Sequence, residues 1–154
     1  MFEARLMIGN VDEDATGGAT FLRRNPVTGE IVTAAAAAST TDAERAANAA
    51  ATAFPRWSET GPGERRTLLE RAADILMARA DDFVAAMTAE TGATRSWCDF
   101  NLSLGVEIIR DAASMTTAVT GAVLPSAVTG RLSLAVRQPA GVCLAIAPWN
   151  APVT

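Results

Sequence analysis

The run Val142-Cys143-Leu144-Ala145-Ile146-Ala147, closed by Pro148-Trp149-Asn150-Ala151-Pro152, decides the fold class. A continuous apolar run of this kind, set off by a Pro139-Ala140-Gly141 turn, reads as a central parallel strand covered on both faces. Just upstream, Leu132, Leu134 and Val136 alternate with Ser133, Ala135 and Arg137, the period of a half-buried strand. A parallel strand needs parallel neighbours reached by crossover connections, and none follows in these residues. The expectation is therefore the first part of a larger α/β protein whose sheet lies mostly outside this sequence.

Working back from that strand, the chain is helical. Thr41-Asp42-Ala43-Glu44 has capping-box spacing and leads an alanine-rich helix to Phe54, which Pro55 is expected to end. Gly61-Pro62-Gly63-Glu64 opens a second helix with Leu68, Leu69, Ala72, Ile75 and Leu76 at helical spacing. Asp81 is placed to cap a third through Phe83, Val84 and Met87, stopped by Gly92. A fourth runs from about Thr94 to Thr117 with a stripe of Trp97, Phe100, Leu104, Ile108 and Met115. Residues 1 to 33 form a turn-rich lead, with small strands expected around Leu6 to Ile8, Phe21 to Arg23 and Ile31 to Ala34. Asn25-Pro26-Val27-Thr28-Gly29-Glu30 makes a tight turn.

Composition removes whole classes of chemistry. The 154 residues carry 13 basic and 17 acidic side chains, for a net charge of −4, and every basic one is Arg. With no His there is no Ser-His or Cys-His dyad and no imidazole metal site. With no Lys there is no Schiff base and no phosphate-loop lysine. The scattered arginines and acidic balance argue against a nucleic-acid footprint. No apolar run approaches the roughly 18 residues needed to span a membrane. Met1-Phe2-Glu3-Ala4-Arg5 lacks the pattern of a secretory signal, so the expected location is cytoplasmic, with Cys98 and Cys143 as reduced thiols.

Six motifs in register then point to a family. They are Asn25-Pro26-Val27-Thr28-Gly29-Glu30, Ala53-Phe54-Pro55-Arg56-Trp57, Glu64-Arg65-Arg66, Glu90-Thr91-Gly92, Gln138-Pro139-Ala140-Gly141-Val142 and Ile146 through Pro152. In order and spacing the chain resembles the N-terminal portion of the NAD(P)-dependent aldehyde dehydrogenase superfamily. Glu90-Thr91-Gly92-Ala93-Thr94, Trp97, Phe100-Asn101 and Ala112-Ala113-Ser114-Met115-Thr116-Thr117 make it most similar to salicylaldehyde dehydrogenases and their vanillin- and benzaldehyde-oxidising relatives.

The resemblance implies an α/β fold in three pieces. Residues 1–130 supply strands and helices of the NAD-binding domain, 131–140 a strand of an inter-subunit sheet, and 141–154 the first Rossmann-type strand and its loop. It implies oxidation of an aldehyde to a carboxylate, with NAD as hydride acceptor and NADP left open, in a homodimer or homotetramer. A cysteine thiolate attacks the aldehyde, and a side-chain donor stabilises the oxyanion. Asn150 matches that donor. Ile146, Ala147, Pro148 and Trp149 match residues bordering the dinucleotide, although Ile146 and Ala147 equally suit the end of a core strand. Phe100 and Leu104, with Trp97, resemble the lining of the aldehyde tunnel, whereas spacing alone favours a place in the helix core. Neither Cys98 nor Cys143 matches the nucleophile, which comes later in the family. Both read as inert small hydrophobes. The arginines, Arg65 and Arg66 among them, are expected to face solvent and pair with nearby carboxylates. Two other readings stay open: a helical module that docks its strands on a partner chain, and a dehydrogenase for an aliphatic aldehyde or semialdehyde.

Overall fold

The computed structural model describes residues 1–153, so Thr154, the last residue of the expected third segment, lies outside the described residues. It shows seven short strands, four α-helices and one 3-10 turn at Thr16–Gly18 among them. β1 (Phe2–Ala4), β4 (Thr20–Arg24) and β5 (Ile31–Ala36) form one sheet in the order β1-β5-β4, with β1 parallel and β4 antiparallel to β5. β2 (Leu6–Ile8) and β3 (Val11–Glu13) make a hairpin. Its two-residue turn, Gly9 and Asn10, has φ of 59° and 67°, the left-handed pair that matches strand twist. The strands expected near Leu6, Phe21 and Ile31 are present. β1 and β3, three residues each, carry no readable alternation and were not anticipated.

α1 (Thr40–Ser58) is capped by Ser39 rather than Thr41. Ser39 and Asp42 form a reciprocal capping box, and Asp42 is buried. Its carboxylate accepts from Ser39 N at 2.8 Å, Ser39 Oγ at 2.8 Å and Thr16 Oγ1 at 2.6 Å, with Arg45 at 3.1 Å. The Thr16 hydroxyl above all, then the Ser39 amide, holds Asp42 far below the ordinary carboxylate value. One side chain thus ties the strand-rich lead to the first helix. Pro55 does not end α1. It sits in the last turn, where the carbonyl its missing N–H leaves unpaired can face water, and Ser58 Oγ donates to Pro55 O at 2.6 Å.

α2 (Pro62–Ala78), α3 (Ala80–Thr91) and α4 (Arg95–Met115) pack together around Ala73, Val84, Met87, Cys98, Leu102 and Val106. Pro62 occupies the first helical position of α2, as expected. Asp81 does not cap α3. It lies in the first turn, behind an N-cap formed by Arg79, and favours the helix dipole from there. Gly92 ends α3 in the left-handed conformation, φ 69°. The buried face of α2 is centred on Ala73, while Leu68 and Ile75 are exposed.

Arg65 and Arg66 also depart from the solvent-facing expectation. Arg65 donates to the carbonyls of Trp57 and Ser58 at 3.2 Å each, and its guanidinium lies 5.6 Å from the Trp57 ring centre. Arg66 donates to the carbonyls of Ala113 and Ser114 at 3.3 and 3.2 Å. Each reaches the unsatisfied carbonyl end of a neighbouring helix, a better partner for a cation than an exposed carboxylate.

Beyond α4 the chain thins. β6 (Ala122–Leu124) pairs antiparallel with β7 (Ser133–Ala135), so the expected strand over 131–137 is shorter and has a partner that was not anticipated. Residues 142–147 form no strand. A strand exists through its ladder partners, and none of the described residues supplies a parallel neighbour. Cys143, expected inside that strand, is consequently exposed.

Candidate functional site

α4 is the platform of the site. Thr94 caps it, accepting from Trp97 N at 3.3 Å, and Arg95 ties its first turn to Asp81 at 3.0 Å and to Asp99 at 3.2 Å. The charge of Asp99, then the bond to Asp81, raises the Arg95 pKa. The helix turns Cys98, Asn101, Leu102, Gly105, Val106 and Ala113 into the core. The stripe of large side chains faces the other way: Trp97 is 42% exposed and Phe100 53%, with Leu104 half-buried. The helix-core reading of this stripe therefore fails for Trp97 and Phe100. Their rings instead contact one another, with centres 5.6 Å apart and planes tilted by 32°.

The 148–153 loop folds back onto this helix. The Trp97 indole N–H donates to the backbone carbonyl of Asn150 at 3.0 Å. Val153 packs against the core cluster. Gly105 permits the approach, because a Cβ there would stand 2.8 Å from Val153 O. The Asn150 side chain is exposed and makes no hydrogen bond among the described residues, leaving its amide N–H groups free to donate.

Ala147, Pro148 and Trp149 share a cavity of about 350 Å³ with Phe83, Met87 and Glu90. Ile146, expected beside them, is 85% exposed and does not line it. The size lies within the range of small-ligand clefts. Glu90 lines it and accepts from the buried Thr33 hydroxyl, which anchors α3 to β5. Of the expected substrate residues, Trp97 meets Asn150 directly and Phe100 meets it through Trp97. Leu104 is half-buried on the same helix. Cys98 is fully buried, its sulfur 3.7 Å from Thr88 Oγ1, so an aldehyde cannot reach it. Gly105 was missed, although a glycine inside a helix, about 1 kcal/mol worse than alanine there, is a signal of close approach.

Fold and loop together define the N-terminal portion of an α/β enzyme fold. The chain belongs to the aldehyde dehydrogenase family, whose model matches residues 13–154. Vanillin dehydrogenase of Pseudomonas fluorescens is 51% identical over 99% of this chain and 32% of its own length. The crystal structure of a salicylaldehyde dehydrogenase from Pseudomonas putida G7, complexed with salicylaldehyde, superposes with a TM-score of 0.88 at 37% identity, covering 90% of this chain and 29% of that one. An NAD-dependent benzaldehyde dehydrogenase from Corynebacterium glutamicum superposes with a TM-score of 0.78 at 26% identity, over 84% and 28% of the two chains. The chain thus spans about a third of the length of the relatives it matches. Of these, the vanillin enzyme is more similar in sequence than the salicylaldehyde enzyme.

Proposed function

We propose that the complete protein oxidises an aromatic aldehyde to its carboxylate with NAD+ as hydride acceptor, and that these residues supply the oxyanion donor, one wall of the aldehyde site and part of the cofactor border. The observation that carries this reading is the bond from Trp97 to Asn150. It holds the peptide unit of Asn150, whose side chain is exposed, against an indole that is 42% exposed. The amide of Asn150 donates to the oxygen on which charge develops as the aldehyde carbon becomes tetrahedral. Trp97 and Phe100 offer apolar area and ring contacts to an aromatic ring. The vanillin, salicylaldehyde and benzaldehyde relatives support the aromatic class.

For the cofactor, Ala147, Pro148 and Trp149 line a cavity large enough for part of a dinucleotide, as residues at its border should. NAD+ when bound accepts the hydride. The pyrophosphate and ribose contacts, and so the choice between NAD and NADP, belong to other residues. In this reading, 1–130 and 141–154 contribute to the NAD-binding domain, and 131–140, which includes β7, reaches toward a second subunit of a homodimer or homotetramer in the cytoplasm.

The test starts with the intact mass of the native protein, expected to be several times 16.0 kDa. Aldehyde-dependent formation of reduced nicotinamide follows, over a panel of benzaldehydes and straight-chain aldehydes. A preference for the aromatic members supports the reading. A mass of 16.0 kDa, or equal kcat/KM across the panel, overturns it.

A further inference from the structure

We infer that Trp97, beyond its place in the substrate wall, is a positioning residue that acts through Asn150. This inference rests on the oxyanion role proposed for Asn150. The indole N–H donates to the Asn150 backbone carbonyl at 3.0 Å, so the bond constrains the peptide unit from which the donor amide projects. A second contact holds the same loop two helical turns further along α4. Gly105 lies so close to Val153 that a single methyl group would stand 2.8 Å from Val153 O. Trp97 and Gly105 are eight positions apart, about 12 Å along the axis, and they fix the loop at both ends of the Asn150–Val153 stretch. The helix between them is anchored by the buried Cys98, Asn101 and Leu102, so the loop inherits the rigidity of the core. An oxyanion donor works only when it is already aimed, because misplacement by about 1 Å costs roughly 100-fold in rate. The Trp97 ring, held by Phe100 at 5.6 Å between centres, is restrained from swinging away when the loop is strained.

The experiment is a double-mutant cycle in the complete enzyme with its preferred aldehyde, using Trp97→Phe, Asn150→Ala and the pair. Trp97→Phe keeps an aromatic ring while removing the N–H together with one ring of the indole, so the comparison with the Asn150→Ala background separates lost positioning from lost packing. Its expected effect is a fall in kcat of roughly 10- to 100-fold with KM for the aldehyde within about twofold. In the Asn150→Ala background the same change should cost less than about twofold, since the group it positions is gone. A residue that merely holds the fold, or merely lines the substrate, would cost the same in both backgrounds, and that result overturns the inference. Gly105→Ala is the second variant, displacing the loop from its other end. Its kcat loss should likewise vanish in the Asn150→Ala background, which keeps the test decisive if Trp97→Phe folds poorly. If Asn150→Ala itself leaves kcat unchanged, the oxyanion role fails and the inference with it. If Asn150→Ala is crippled while Trp97→Phe and Gly105→Ala are unaffected, only the positioning role fails.

Discussion

The three-helix block of α2, α3 and α4 and the segment from 132 to 147 are both rich in aliphatic residues, yet they end in opposite environments. Leu102 is 2% exposed, while Leu144 is 88% exposed. Burial follows from available partners rather than from apolarity. A helix satisfies its own backbone and can bury a stripe against two neighbours from the same sequence. A central strand needs ladder partners on both edges and layers on both faces, and sequence-distant elements must supply them.

The largest expected effect separates the two regions directly. Leu102→Ala should cost about 2–5 kcal/mol in chemical denaturation, because it opens a hole in a packed core. Leu144→Ala in the 154-residue chain should change stability by less than about 0.5 kcal/mol. In the complete protein the Leu144 penalty should rise into the range of Leu102, as strand neighbours cover it. Equal penalties for Leu144→Ala in both contexts would break the comparison.

Next in size is the chemistry at the join between the regions. Asn150→Ala should lower kcat about 100- to 1,000-fold, the usual cost of one missing oxyanion donor. Phe100→Ala should be milder, reducing the ratio of aromatic to aliphatic kcat/KM by roughly three- to tenfold. An unchanged ratio would remove Phe100 from the substrate wall.

Much of the helical block was legible, and the reasons show where reading fails. Pro62, Gly92 and Thr94 announced helix ends because capping chemistry is local. β1, β3 and β6 were invisible because the residues around them show no apolar alternation, unlike the 132–136 stretch around β7. The α4 stripe was legible as a stripe but not as to which way it points. Its core face sets Cys98, Asn101 and Gly105, small or polar residues that a hydrophobic pattern overlooks, beside Leu102 and Val106, while the larger Trp97 and Phe100 stay outside. Asn150 carries no signal of its own beyond a loop after an apolar run, and only the resemblance singled it out.

Acid should probe a third junction, between the strand-rich lead and α1. Asp42 is held far below its ordinary value of 3.8, first by the Thr16 hydroxyl and then by the Ser39 amide. A carboxylate with a depressed folded-state pKa contributes stability that is fully present above the unfolded value and is lost as pH falls through the folded one. The wild-type melting temperature should therefore hold steady down to about pH 4 and drop below it. Asp42→Asn should lower the midpoint at neutral pH and flatten that acid-side decline. A parallel decline in both proteins would mean other carboxylates set the acid limit.

The smallest effect belongs to the surface of the helical block itself, where Arg110 on α4 meets Asp74 on α2 at 3.0 Å. Both side chains are more than half exposed, so water and salt screen the attraction, and holding two flexible groups together costs entropy. A double-mutant cycle on Arg110→Ala and Asp74→Ala should give a coupling of about 0–1 kcal/mol that shrinks further in high salt. These same two helices bury Ala73 and Leu102 between and around them, so a coupling as large as the Leu102→Ala penalty would mean that charge, rather than packing, joins α2 to α4. The distinction drawn between the buried and the uncovered halves of the molecule would then no longer rest on apolar contact.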